Sequence, residues 1–160
     1  MKIETSQSKI LGRIAFITIL SVLISCNNGA ERVTVFFKST HGTQSERLSL
    51  ELAYTESMRT LGLMYRHRLG KNEGMLFVFP DTVQRNFWMK NTPLPLDIIF
   101  LDAEQQIVHV AANTNPYSEK EVPSLRPSKY VVELNAGRSA ELGIVVGSQL
   151  VVEGQIPHPR

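Results

Sequence analysis

Met75-Leu-Phe-Val-Phe79 is a run of five consecutive apolar residues that Pro80-Asp81 brings to an end. Such a continuous run predicts a strand that is buried on both faces. Two further stretches, Asp97-Ile-Ile-Phe-Leu101 and Tyr130-Val-Val-Glu-Leu134, are also predicted as strands. Together the three stretches predict the core of a β-rich domain.

Further strands are predicted on either side of these stretches. Leucine alternates with polar or small residues over 48–53, which predicts a strand with one wet face. Residues 102–105 separate two apolar runs and predict a hairpin turn. Additional strands are expected at 33–37, 87–89, 106–110 and 149–152. The pattern predicts a mainly β domain, either a compact antiparallel β-sandwich or a partly open barrel of about eight strands.

Only one segment shows helical periodicity over a length sufficient for a short helix. Apolar residues recur at spacings of three and four over 55–65, and Thr55 is a plausible N-cap, which predicts one short helix. One helical turn is expected at 139–142. The long segment 113–128 contains three prolines and predicts a loop of the kind that often forms a functional rim.

The N-terminus has the features of an export signal. A positive head is followed by the eleven-residue apolar run 14–24, which is too short to span a bilayer core of about 20 residues. Leu23-Ile-Ser-Cys26 follows and resembles the lipobox of bacterial lipoproteins, in which the cysteine receives acyl chains such as palmitate. Cys26 is the single cysteine of the 160-residue chain, which excludes an intramolecular disulfide.

The charge distribution supports this division of the chain. Lys2, Lys9 and Arg13 against Glu4 account for the whole formal net charge of +2, so residues 26–160 are formally neutral. We predict a signal peptide at 1–25, a tether at 26–32, a β domain at 33–154 and a frayed tail at 155–160. The expected location is the cell envelope, on the extracytoplasmic side, with the membrane as a partner through the lipid anchor.

Four motifs occur in an order that resembles a known family. They are Leu61-Gly-Leu-Met-Tyr-Arg66, Gly74-Met-Leu-Phe-Val-Phe79, Phe87-Trp-Met-Lys-Asn-Thr-Pro-Leu-Pro-Leu-Asp97 and Tyr130-Val-Val-Glu-Leu-Asn-Ala-Gly137. Together they resemble domain-of-unknown-function family 192, also called uncharacterised protein family 0127, over roughly 48–152. The resemblance implies a compact, mostly β domain with frequent secretion or lipid anchoring, and it implies no activity.

Two carboxylates are the candidate catalytic residues. Asp97 and Glu133 both lie among apolar neighbours, where a carboxylate must be paired, hydrogen-bonded or shifted in pKa. If they converge, they predict a hydrolase-type site, with an arginine as an alternative partner for Asp97. The other interpretation of Asp97 is structural, as a partner for a cation or for free backbone groups. The other interpretation of Glu133 is that its side chain points outward and is solvated.

Trp88, Lys90 and Asn91 are the candidate ligand-binding residues, together with Arg66. A Trp beside a cation and an amide can stack on a planar ligand or sugar and hydrogen-bond its edge. Alternatively, Trp88 lies in the core and Asn91 forms a turn. The leading hypothesis is therefore a domain that binds a small ligand, an envelope glycan or a partner protein, with 113–128 as part of the rim.

Other chemistries have weaker support in the sequence. Four methionines and two histidines offer soft ligands for Cu(I) without motif spacing: Met58, Met64, Met75, Met89, His67 and His109. No cofactor motif and no nucleophile elbow is present, so no catalytic motif supports an enzyme. No basic face interleaves with aromatic residues, so nucleic acid is not an expected partner.

Overall fold

The structure, a computed structural model, describes residues 30–160. The predicted signal peptide and the lipidation site Cys26 lie outside the described residues. The described part contains nine strands and two short helices, in the order β1 (Arg32–Lys38), β2 (Leu48–Ala53), α1 (Glu56–Leu61), β3 (Glu73–Val83), β4 (Asn86–Phe87), β5 (Leu96–Leu101), β6 (Ile107–Thr114), β7 (Val122–Pro123), β8 (Ser128–Asn135), α2 (Arg138–Glu141) and β9 (Gln149–Glu153).

Seven of the strands form one curled sheet, a half-barrel, in the order β6-β5-β8-β3-β2-β1-β9. The mainly β prediction and its partly open barrel alternative are confirmed. All neighbouring strands are antiparallel except β2 and β3, where Leu50 is opposite Gly74 in parallel register. The parallel pair arises because the connection through α1 returns the chain to the end of the sheet from which β2 started.

The three longest apolar strands are buried on both faces of the sheet. On the concave face, Leu76, Ile99 and Val132 join the core between β1, β2 and β9. On the convex face, Phe77 and Phe100 join a second cluster beneath α1 and the segment that follows β4. The apolar run Met75–Phe79 thus supplies both cores by strand alternation.

Helix α1 is shorter than predicted. Thr55 is its N-cap and accepts a hydrogen bond from the Met58 N–H at 3.3 Å, as its sequence position predicts. The helix ends at Leu61 because Gly62 takes a positive φ of 48°. The segment 62–65 therefore continues as a turn over the convex face.

The second sheet consists of β4 and β7 and covers part of the convex face. The strand predicted at 87–89 ends at Phe87, and Trp88 and Met89 belong to the following turn segment. The Phe87 ring packs edge-to-face on Phe77 and Phe100, with centroid distances of 5.2 and 5.6 Å. Strand β7 lies inside 113–128, so this segment is not the structureless loop that was predicted.

The C-terminal tail is not frayed, contrary to the prediction. Ile156 packs against the concave core, and the Arg160 N–H donates a hydrogen bond to the Tyr54 carbonyl at 2.9 Å. A frayed tail would not keep such contacts, so residues 155–160 belong to the folded unit. Neither helix of the described part is long and apolar enough to span a membrane.

Gly74 marks the closest approach of three central strands, and its replacement by alanine should destabilise the fold by about 2–3 kcal/mol. An added Cβ would lie 2.3 Å from the Glu133 carbonyl oxygen and 2.9 Å from a Leu50 methyl. Urea unfolding of the variant measures the loss. Gly70→Ala is the control, because its Cβ meets the end of the flexible Glu73 side chain. Equal stabilities of the two variants would contradict the prediction.

Candidate functional site

A cavity of about 340 Å³ opens on the convex face, between α1, β3 and the segment that runs from β4 to Thr92. We call it the α1 pocket. Its lining is mainly apolar and includes the buried residues Leu63, Phe77 and Glu133. The full lining is Glu56, Arg59, Thr60, Leu61, Gly62, Leu63, Met64, Phe77, Phe79, Asn86, Phe87, Trp88, Thr92 and Glu133. Its volume lies within the usual range for small-ligand sites.

Glu133 is the buried carboxyl group of the α1 pocket. Strand β8 holds it between Met75 of β3 and Ile98 of β5, so both cross-strand neighbours are apolar. The residue is 5% exposed, and its Oε2 has no hydrogen-bond partner among the described residues. Burial raises the pKa of Glu133 to about 8, so the group is neutral at pH 7.

Arg59 of α1 contributes a cation to the same lining. Its Nη1 donates to the carbonyl oxygens of Tyr54 and Val78, at 2.7 and 3.0 Å. Its guanidinium carbon lies 5.2 Å from the centroid of Phe79, and Arg85 lies 3.6 Å from the same ring. Within residues 30–160, Arg85 is paired with Asp81, whereas Arg59 has no carboxylate within salt-bridge distance.

Three of the predicted ligand-binding residues, Trp88, Lys90 and Asn91, lie close together at one edge of the α1 pocket. Trp88 lines the pocket and is 48% exposed, so the alternative that it lies in the core is wrong. The Lys90 ammonium lies 5.3 Å from the Trp88 ring and 3.6 Å from the Glu119 carboxylate. The Asn91 side-chain amide donates to the Tyr65 hydroxyl at 2.8 Å. Asn91 therefore positions an exposed tyrosine rather than facing the cavity.

Arg66 lies apart from this group. Its two terminal nitrogens bond both carboxylate oxygens of Glu51, one of them at 2.6 Å, and Arg32 bonds the same carboxylate at 2.9 Å. The hydrogen bond from Arg66 holds the pKa of Glu51 below its usual value. Arg66 therefore satisfies a buried carboxylate of β2, and its predicted ligand-binding role is corrected to a structural one.

Asp97 is fully buried, and its two oxygens accept three hydrogen bonds. Oδ2 accepts from the Ser139 N–H at 2.9 Å and from the Ser139 hydroxyl at 2.6 Å, and Oδ1 accepts from the Asn113 N–H at 2.9 Å. The group ties α2 and the end of β6 to β5. This agrees with the structural interpretation of Asp97, with backbone and hydroxyl groups as partners in place of a cation.

The pair of Asp97 and Glu133, expected as one alternative, does not form. In the register of β5 and β8, Asp97 is opposite Leu134, while Glu133 is opposite Ile98. Opposed residues share a face and successive residues alternate, so the two carboxyl groups lie on opposite faces of the sheet. The hydrolase site built on their convergence is therefore wrong.

Three of the four methionines considered as copper ligands are packed in or against the convex core. Met75 and Met89 are buried in the convex core, and Met58 packs against it. His67 is exposed, and His109 stacks on Phe100 at a centroid distance of 5.9 Å. Over residues 30–160, no three His, Cys, Asp or Glu side chains lie close enough to hold a metal ion.

The family model DUF192, described as an uncharacterized ACR, matches residues 37–152. The chain belongs to the DUF192 family. A comparison with curated proteins gave no match. The resemblance seen in the four sequence motifs is thereby confirmed, and the DUF192 match includes every residue of the α1 pocket.

Two solved structures are similar to this DUF192 domain. One is a proposed transcription regulator from Sinorhizobium meliloti 1021, with a TM-score of 0.74 and 38% identity, covering 77% of this chain and 95% of that one. The other is a protein of unknown function from Novosphingobium aromaticivorans DSM 12444, with a TM-score of 0.70 and 38% identity, covering 79% and 89%. The DUF192 fold is thus shared over nearly the whole described part.

Part of the candidate site could not be found by reading motifs. A carboxylate that interrupts an apolar strand identifies Glu133 from the sequence alone. Arg59, Phe79 and Phe87 were not connected with it, because they come from α1, β3 and β4 and meet only in the folded sheet. No local sequence pattern shows that α1 packs against the convex face, so the sequence does not connect these residues.

Proposed function

We propose that this domain is a small-molecule binding module whose ligand occupies the α1 pocket. The observation that carries the proposal is Glu133, a buried carboxyl group without a hydrogen-bond partner that lines an apolar cavity. Buried polar groups in native proteins are nearly always satisfied, and an exception in a cavity of ligand size points to a bound molecule.

The composition of the α1 pocket supports binding over nucleophilic catalysis. In the described part, the lining contains no His, Cys, Ser or Lys side chain, and neither of its threonine hydroxyls, of Thr60 and Thr92, is hydrogen-bonded to a carboxylate. A nucleophile with an adjacent base is the usual requirement for covalent hydrolysis. The two helices of residues 30–160 have six and four residues, which gives no recognition helix for a DNA groove.

Four matched aromatic probes test the proposal: toluene, benzamide, benzylamine and benzoate. We expect NMR shift changes on the full chain to map at least one of them to the α1 pocket. Trp88→Ala should weaken the binding of that probe about fivefold, because the stacking contact with the indole ring is lost. Tyr117→Ala is the control, since Tyr117 is 62% exposed and does not line the pocket. Binding of none of the probes, or binding elsewhere, would refute the proposal.

A second candidate ligand is an envelope glycan on the exposed aromatic surface of Tyr65, Trp88 and Tyr117. Tyr65 and Tyr117 both have positive φ values, 62° and 58°, which bulky residues rarely adopt and which often mark functional surfaces. Their backbones bond to Asn91 and Thr92, so one segment positions all three rings. Tyr117→Ala separates the two candidates, because it weakens a stacked oligosaccharide such as chitotetraose and leaves a pocket ligand unchanged.

We also propose that acyl chains on Cys26 hold the domain on the extracytoplasmic side of a membrane. The lipobox-like sequence and the basic head before it support this. Each buried CH₂ contributes about 0.8 kcal/mol, so two or three chains anchor a domain stably. Cys26→Ser should abolish incorporation of labelled palmitate and release the protein from membranes. Unchanged labelling of this variant would refute the anchor.

A further inference from the structure

The carboxyl group of Glu133 is a hydrogen-bond donor without an acceptor. Within the described residues, no hydrogen bond is made to its buried Oε2, and its cross-strand neighbours Met75 and Ile98 are apolar. Because burial favours the neutral form, the group carries one O–H, and Glu133 is part of the cavity lining. A buried donor without an acceptor is destabilising, and an acceptor on a ligand would satisfy it.

The charges around the α1 pocket disfavour a cationic ligand. Besides Glu133, the charged residues of the lining are Glu56 and Arg59, both from α1; β3, β4 and the segment to Thr92 contribute none. Glu56 is exposed, so water screens it, whereas Arg59 is half-buried and has no carboxylate partner in the described part. An ammonium group in the pocket would face this guanidinium, and no protein donor would stabilise an ionised Glu133 beside it.

An anionic group next to Glu133 is disfavoured for a related reason. The single cation of the lining, Arg59, is held on α1 by hydrogen bonds from Nη1 to the carbonyl oxygens of Tyr54 and Val78, and no described hydrogen bond links it to Glu133. A carboxylate buried at Glu133 would lose its water and gain one neutral donor, which does not offset the loss. An uncharged acceptor avoids both the repulsion from Arg59 and the cost of burying a charge. The rings of Phe77, Phe79 and Trp88 provide contacts for the apolar part of such a ligand.

We infer that the ligand of the α1 pocket is an uncharged carbonyl compound, such as an amide or ketone, whose oxygen accepts a hydrogen bond from Glu133 while its apolar or aromatic body packs on the ring-lined wall. This inference rests on the proposed function and names the class of its ligand. In this role, Glu133 is a binding residue that donates a hydrogen bond to an acceptor on the ligand. It disfavours ligands that carry a charge.

The same four probes test the inference through their order of affinity. At pH 6 on the full chain, benzamide should bind about tenfold more tightly than toluene, since one satisfied hydrogen bond separates them. Benzylamine and benzoate, charged at this pH, should bind no better than toluene. Benzylamine or benzoate binding as tightly as benzamide would overturn the inference and leave the proposed function intact. Absence of all four from the pocket would refute both.

Two substitutions at Glu133 provide the second measurement. Glu133→Gln keeps an N–H donor of similar shape, so benzamide should bind within about twofold of the original chain. Glu133→Leu removes the donor in a fully apolar environment, so the preference for benzamide over toluene should disappear. Toluene reports whether the pocket of each variant is still formed. A preference for benzamide that survives Glu133→Leu would overturn the inference.

Discussion

Replacing Asp97 with alanine should lower the free energy of unfolding by about 3–5 kcal/mol. The change removes a carboxyl group that accepts three hydrogen bonds and leaves two backbone N–H groups, of Ser139 and Asn113, without an acceptor. The Ser139 N–H and hydroxyl are buried, so water cannot readily replace the lost acceptor. Urea denaturation followed by circular dichroism measures the loss.

Asp102→Ala is the matched control for this prediction. Asp102 directly follows the same strand and also accepts two backbone hydrogen bonds, from Glu104 and Gln106 at 3.0 and 2.8 Å. It is half-buried in a turn, where water can replace the carboxylate, so we expect a loss of about 1 kcal/mol. If the two variants lose the same stability, burial is not what makes Asp97 important.

Glu133→Gln should remove a pH dependence of stability. Burial raises the pKa of Glu133 to about 8 in the folded domain, from its ordinary value of 4.5. Between these two values the folded state holds a proton that the unfolded state has lost. Stability therefore falls as pH rises through this window, by up to about 1.4 kcal/mol per pH unit, and levels off above pH 8.

The experiment compares urea unfolding from pH 5 to pH 9. We expect the original chain to lose stability across this range and the Gln variant to lose much less, so that their difference grows with pH. Glu104→Gln is the control, because it removes the same charge from an exposed turn position and should leave the slope unchanged. Parallel curves for the original chain and Glu133→Gln would show that Glu133 is not held neutral.

The strands were predictable because their signal is local. Five apolar residues in succession at Met75–Phe79 predict burial on both faces, as observed. The alternation over 48–53 located β2, but its predicted wet face is wrong, because Glu51 pairs with Arg32 and Arg66 and is buried. The N-cap at Thr55 is equally local. By contrast, the parallel pairing of β2 with β3 depends on where the chain returns after α1, and no short pattern records that path.

The site was predictable residue by residue and not as an assembly. Apolar flanks correctly identified Glu133 and Asp97 as unusual carboxyl groups. Whether they meet depends on the register of β5 with β8, in which a shift of one residue moves a side chain to the opposite face. Arg66 was misassigned for a related reason, since its partner Glu51 lies fifteen positions earlier in the chain, on β2.

The neighbouring positions of β1 and β9 have a consequence for the order in which the domain is made. Strand β1 pairs with β2 on one side and with β9 on the other, although more than a hundred residues separate β1 from β9 in the chain. A ribosome therefore completes the first strand long before its last neighbour exists. Until Gln149–Glu153 is synthesised, the backbone of Val33-Thr-Val-Phe-Phe37 remains an open template for other chains.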